Sequence, residues 1–181
     1  ASLKNQVKKV ITLSTDKACE PYNLYGATKL CAEKLLLAAN NIKGKNKTYF
    51  SVVRYGNVFN SRGSIVPKLL SLKNKNIIKI SDSKMTRFSM MIDEAIEMVN
   101  WSLINCNGKE IVVPKLKSYR LIDLVKAIAP KCKIINEGKK IGEKIHEKLI
   151  SNQETENIFF NGKYYLIFNE NKPSLKIKNF K

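Results

Sequence analysis

Val7, Val10, Ile11 and Leu13 form a short β-branched apolar run that ends in Ser14-Thr15-Asp16-Lys17-Ala18. Such a run predicts a buried strand, so the hydroxyl, the acid and the amine fall at its carboxyl end, the side on which open α/β sheets bind ligands. Pro21 and Asn23 then interrupt the chain, and from Leu24 through Leu37 the composition is that of a helix. Tyr25 and Lys29 are four residues apart and share one face of it. A phenol in water ionises near about pH 10, and neighbouring cations favour the phenolate, which makes a tyrosine usable as a base. The Tyr-x-x-x-Lys spacing also arises by chance in amphipathic helices. The strand end shortly before it is what gives the spacing chemical meaning.

The 181 residues suffice for a sizeable core. Cys19, Cys31, Cys106 and Cys132 show no CxxC and no histidine at metal spacing, which predicts a reduced cytoplasmic protein without disulfides or metal. No signal peptide and no span-length apolar run is evident, so a soluble chain with no membrane partner is expected. A formal charge of +18 raises nucleic acid as a partner. The lysines are spread along the whole chain, however, without a basic helix or an aromatic-interleaved stripe, and no nucleic-acid partner is expected. Polyanionic small molecules suit the same potential.

Ala1 to Lys9 reads as the tail of a helix entering the first strand. Thr48 to Tyr55 alternates like a buried strand, with Arg54-Tyr55-Gly56-Asn57-Val58 at its end. A helix is expected from Ile65 to about Leu72 and a strand over Ile77 to Ile80. Asp93 is expected to cap a helix carrying Ile92, Ala95, Ile96, Val99 and Leu103. Glu110 to Val113 reads as a strand, Leu121 to Ile128 as an amphipathic helix closed by Pro130, and Ile134-Ile135 as a short strand. Asn161-Gly162 between apolar runs is a two-residue hairpin signal, and a basic frayed tail is expected from Lys172.

Ser-Thr-Asp-Lys-Ala, the Asn-Leu-Tyr-Gly-Ala-Thr-Lys run ending at Lys29, and Arg54 to Val58 resemble the extended short-chain dehydrogenase/reductases. The likeness is strongest to the inverting UDP-N-acetylglucosamine 4,6-dehydratases, from residue 1 to about residue 170. The resemblance implies an α/β fold: part of a Rossmann-like doubly wound parallel sheet with a small α/β substrate-binding lobe. It implies that Thr15, Asp16, Lys17, Tyr25 and Lys29 are catalytic, with Tyr25 and Lys29 also meeting an NADP cofactor. Asn57 and Arg87, the latter in Met85-Thr86-Arg87-Phe88, would face the substrate diphosphate. A guanidinium fork suits phosphate oxygens, although a turn asparagine and a surface arginine are the plain alternatives. Asn60 stands where the family commonly has Gly. In Gly142-Glu143-Lys144-Ile145-His146-Glu147, similar to the family's Arg-x-Gly-Glu-Lys-x-His-Glu element, Glu143 would meet ribose hydroxyls. Lys140 stands there in the arginine position and Ile141 in that of the usual proline, so a bidentate contact becomes a point charge. His146, the only histidine, reads as structural.

By the resemblance, residues 1–60 hold the carboxyl-terminal part of the Rossmann domain with the catalytic residues. Residues 61–170 hold mainly the substrate-binding lobe with interleaved Rossmann segments, and residues 171–181 a basic tail. The sequence contains no Gly-x-Gly-x-x-Gly for a cofactor pyrophosphate, so a complementary amino-terminal half is an expected partner, besides UDP-N-acetylglucosamine and a further copy of the chain. An epimerase or reductase of the same fold, and a non-catalytic remnant, are the competing readings.

Overall fold

The computed structural model describes residues 1–168; the basic tail expected from Lys172 lies outside them. In chain order the elements are β1 (Lys9–Thr15), α1 (Leu24–Ile42), β2 (Tyr49–Tyr55), β3 (Asn57–Val58), α2 (Ile65–Leu72), β4 (Ile77–Ile80) and β5 (Thr86–Met90). They continue with α3 (Ile92–Asn105), β6 (Glu110–Pro114), β7 (Ser118–Arg120), α4 (Leu121–Ile128), β8 (Lys133–Asn136), β9 (Ile158–Phe160) and β10 (Tyr164–Phe168). Two compact units share the chain. Among the described residues the first is built from 1–55, 95–115 and 148–168, the second from 56–94 and 116–147.

The first unit centres on a five-stranded sheet in the order β1-β2-β6-β10-β9. β1, β2 and β6 run parallel, and β10 and β9 close the edge antiparallel. β2 and β6 lie inside the sheet and are buried on both faces, so β2 does not keep the alternation expected of it: Val52 and Val53 are buried side by side, and Ser51 and Arg54 are buried with them. Side chains alternate across the pleat. On one face Val52, Ile111, Val113 and Ile167 pack with Leu37 of α1. On the other, Ser51 donates to Glu110 Oε2 at 2.6 Å, and Trp101 of α3 stacks tilted on Tyr164 of β10 with ring centroids 5.0 Å apart. Helices on both faces of parallel strands make the unit doubly wound. Cys106 lies among Ser51, Ser102 and Glu110, where burial and then the Glu110 charge push its thiol up to about 12, so it is an inert core residue.

The second unit holds a three-stranded sheet in the order β3-β5-β7 and the parallel pair β4-β8. Its core gathers Leu69 from α2, Ile78 and Ile80 from β4, and Val125 and Ala129 from and beside α4.

Three local expectations are corrected. The amino-terminal residues form one closed turn rather than the tail of a helix: Asn5 N bonds Ala1 O, Val7 N bonds Ser2 O, and Gln6 at φ 51° leaves the helical region. Asp93 does not cap α3. The helix starts at Ile92, and Glu94 Oε2 takes the Met91 N–H at 2.6 Å. The hairpin loop is Gly162-Lys163, one residue later than expected, since Phe160 pairs with Tyr165. Asn161 flanks the loop and its Oδ1 accepts from Lys163 N and Tyr164 N. Asn60, in the position that is commonly Gly in the resembled family, takes φ 58°, a conformation asparagine tolerates better than most side chains.

Candidate functional site

β1 ends at Thr15, whose extended backbone caps a 3₁₀ turn over Asp16–Ala18. Thr15 Oγ1 donates to Asp16 Oδ1 at 2.8 Å and accepts from Lys17 N at 3.4 Å. Lys17 Nζ donates to both Asp16 oxygens, at 3.1 and 3.2 Å. The Asp16 carboxylate is buried, whereas the Lys17 side chain is 36% exposed. The acid has thus exchanged water for a hydroxyl and an ammonium, and the amine reaches outward. The tip of one strand gathers the hydroxyl, acid and amine that sequence reasoning singled out.

α1 begins against this same turn. Asn23 Oδ1 accepts from Gly26 N at 2.9 Å and caps the helix. A Cβ on Gly26 would lie 2.2 Å from the Lys17 carbonyl oxygen, so only glycine lets the first helical turn seat there. Tyr25, the adjacent residue, is about half exposed. Lys29, on the same helical face, places Nζ 3.5 Å from the Leu13 carbonyl of β1. Tyr25 and Lys29 are therefore held beside the strand tip by backbone packing.

A further residue on that face escaped the sequence reading. Glu33 follows Lys29 by four and is wholly buried. Arg54 of β2, paired in register with Ser14, bonds Glu33 through Nε at 3.0 Å and Nη2 at 2.6 Å. It also bonds Glu154 through Nη1 at 3.0 Å and Nη2 at 2.9 Å, and the Leu149 carbonyl through Nη1 at 3.0 Å. All five N–H donors of the guanidinium are spent. Burial opposes the Arg54 charge, but the two carboxylates outweigh it and raise its pKa further. Burial likewise opposes ionisation of Glu154, but the Arg54 bonds hold its carboxyl below the ordinary range. The signal available in the sequence was the continued four-residue spacing Tyr25, Lys29, Glu33.

In the second unit Glu147 joins two of the expected substrate-binding residues. Asn57 Nδ2 donates to Glu147 Oε2 at 3.2 Å, and Arg87 Nε lies 3.4 Å from Glu147 Oε1. Asn57 reaches this place because Gly56 leaves room for Phe88, whose ring would sit 2.4 Å from a Cβ there. The 145–147 segment is knitted to β5: Thr86 N bonds Ile145 O, and Thr86 Oγ1 meets His146 Nδ1 at 2.8 Å. His146 thus has a structural partner. Lys140 and Glu143 bond each other across an exposed turn, Lys140 N to Glu143 Oε2 and Glu143 N to Lys140 O. The structure does not join them to Asn57 or Arg87. Among the described residues no group of three or more His, Cys, Asp or Glu side chains could hold a metal ion, and no helix is long and apolar enough to cross a membrane.

Parallel strands wound with helices on both faces, ending in a hydroxyl–acid–amine turn beside a Tyr-x-x-x-Lys helix, define a Rossmann-like fold of the short-chain dehydrogenase/reductase type. The X-ray structure of Pen from Bacillus thuringiensis shares that fold, with TM-score 0.85 and 34% identity, covering 92% of this chain and 54% of that one. The chain belongs to the polysaccharide biosynthesis protein family, whose profile matches residues 1–169. It is 44% identical over 179 residues to a UDP-N-acetylglucosamine 4,6-dehydratase (inverting) of Campylobacter jejuni, covering 98% of this chain and 52% of the relative. It is 36% identical over 172 residues to a UDP-glucose 4-epimerase of Rickettsia canadensis, covering 92% and 50%. The chain spans about half the length of the curated relatives it matches.

Proposed function

We propose that this chain carries the catalytic turn and the substrate-binding lobe of an inverting UDP-N-acetylglucosamine 4,6-dehydratase, a lyase that forms a 4-keto-6-deoxy sugar. The observation that carries the reading is the Thr15–Asp16–Lys17 cluster seated against the first turn of the Tyr25 helix. Converting carbon 6 of a hexose to a methyl group by elimination needs a proton taken from the 4-hydroxyl, one taken from carbon 5, one given to the departing 6-hydroxyl and, as hydride reaches carbon 6, a solvent-derived proton returned to carbon 5; the cluster and helix supply a group for each of the first three.

Tyr25, with Lys29 four residues along the helix, takes the proton of the 4-hydroxyl, and Thr15 hydrogen-bonds the same oxygen. A nicotinamide cofactor, NADP by family likeness, would accept the hydride from carbon 4 and return it at carbon 6. Tyr25 and Lys29 fit the nicotinamide-ribose end of such a cofactor, being a half-exposed phenol and an ammonium on one helix face. Lys17 removes the proton on carbon 5, which the ketone at carbon 4 acidifies, and Asp16 protonates the departing 6-hydroxyl. The pair as folded is an ammonium and a carboxylate in contact. Moving one proton from Lys17 to Asp16 yields the neutral base and neutral acid that the elimination requires, with no change in net charge.

Asn57 and Arg87 hold the diphosphate, and Lys140 and Glu143 serve the nucleotide from their exposed turn. The product would feed surface polysaccharide or flagellin sugars such as pseudaminic acid. A cytoplasmic setting, a homo-oligomer and a complementary amino-terminal half complete the reading. A 4-epimerase is the second reading, favoured by the Rickettsia relative, but epimerisation at carbon 4 needs neither a proton from carbon 5 nor loss of water, and leaves Asp16 and Lys17 without a task.

The test is turnover of UDP-N-acetylglucosamine with NADP in D2O, with and without the amino-terminal half of a relative supplied as a second chain. A 4-keto-6-deoxy product carrying deuterium at carbon 5 is expected, abolished by Lys17→Met. A 4-epimer with an unlabelled carbon 5 would refute the reading.

A further inference from the structure

Arg87 spends its donors unevenly. Nη1 bonds two backbone carbonyls, Thr86 O at 2.7 Å and Ile145 O at 3.1 Å. Nε faces the Glu147 carboxylate at 3.4 Å. Among the described residues Nη2 meets only the thioether of Met85, at 3.4 Å, and a thioether is a weak acceptor. The guanidinium side chain is 16% exposed; two backbone carbonyls and an ion pair with Glu147 hold it, while its remaining edge meets a soft acceptor. A phosphate oxygen is a far better partner for that edge than sulfur. The second oxygen of Glu147 holds Asn57 Nδ2 at 3.2 Å. One carboxylate therefore contacts both an amide and a guanidinium that come from two different strands, β3 and β5.

We propose that Glu147 is a positioning residue for diphosphate recognition: by holding Asn57 and Arg87 together it aims both at one anion without itself touching the ligand. The inference rests on the reading above that these two residues bind the substrate diphosphate. A carboxylate near a diphosphate costs electrostatic attraction, so the two possible roles differ in sign. If Glu147 acts by orientation, neutralising it weakens diphosphate binding; if its negative charge is the dominant effect, neutralising it strengthens binding.

The experiment measures UDP and uridine binding to the full chain by NMR titration for wild type, Glu147→Gln and Glu147→Asp, with thermal melts confirming that each folds. The ratio of the two dissociation constants isolates the part of the affinity owed to the diphosphate. Wild type is expected to prefer UDP. Glu147→Gln should weaken UDP about tenfold, the loss expected of a charge-assisted hydrogen-bond arrangement, with uridine unchanged. Glu147→Asp keeps the charge but is one methylene short of both partners, and should lose an intermediate amount; it serves as the test variant if the Gln form does not fold. UDP affinity that is unchanged or tighter in both variants overturns the proposal, and so does an equal loss for uridine, which would mark general damage. A wild type with no preference for UDP over uridine instead removes the diphosphate role of Asn57 and Arg87, and the inference with it.

Discussion

Replacing Arg54 with methionine removes five N–H donors and one positive charge while leaving two carboxylates behind. Glu33 is wholly buried, and the Glu154 side chain is 14% exposed. Breaking a buried ion pair by deleting one partner costs about 3–5 kcal/mol, because the remaining charge stays desolvated. Against a typical total stability of about 5–15 kcal/mol, that is a large fraction. Arg54→Lys keeps the charge but supplies at most three donors, so at least two of the five acceptors lose their partner. At about 1–3 kcal/mol for each unsatisfied buried group, reduced for the partly exposed Glu154, a cost of about 2–4 kcal/mol follows. The assay is urea unfolding of the full chain with the m-value held as a check on two-state behaviour. The triple variant Arg54→Met, Glu33→Met, Glu154→Met separates the causes, since an apolar replacement of a whole buried ionic group is often neutral. It should recover most of the loss. Arg54→Met costing less than about 1 kcal/mol, or the triple variant proving no better than the single, would refute an account based on uncompensated buried charge.

The same cage predicts a pH dependence. The Glu154 carboxyl is held below its ordinary range in the folded state, so its stabilisation is complete above the ordinary carboxylate range and is lost as pH falls through the lower folded value. Glu154→Gln should therefore flatten the acid side of a stability–pH curve, and equal slopes in the two proteins would count against it. Gly26→Ala places a Cβ 2.2 Å from a backbone oxygen that no rotamer change can move; a loss of about 1–3 kcal/mol is expected, and, under the function proposed above, turnover in the complemented assay should fall further than the melting temperature accounts for. Full turnover in that variant would sink the claim that the helix seat matters. Gly56→Ala meets the Phe88 ring instead, so Phe88→Ala should partly rescue it, and an absence of rescue would place the strain elsewhere.

The features legible in the sequence share a short range. The strand before Ser14, the break at Pro21 and Asn23 and the Tyr25–Lys29 face depend on neighbours within a turn or two, where hydrophobic period and backbone constraints act directly. The errors were also local. A hairpin shifts by one residue when Asn161 uses its side chain to hold two following N–H groups instead of entering the loop, and one left-handed residue, Gln6, ends a turn that composition would continue. Glu147 stood within a quoted motif, yet nothing adjacent to it named Asn57, 90 residues earlier, as its partner.

Amino-acid order alone determined that a hydroxyl, an acid and an amine terminate one strand and that a phenol and an ammonium share the following helix, because each grouping is set by backbone periodicity over a few residues. Only the tertiary structure decided which charges neutralise one another. Arg54 finds Glu33 at a separation of 21 residues and Glu154 at 100, and a buried guanidinium can be placed there only when the path of the whole chain brings both carboxylates to it.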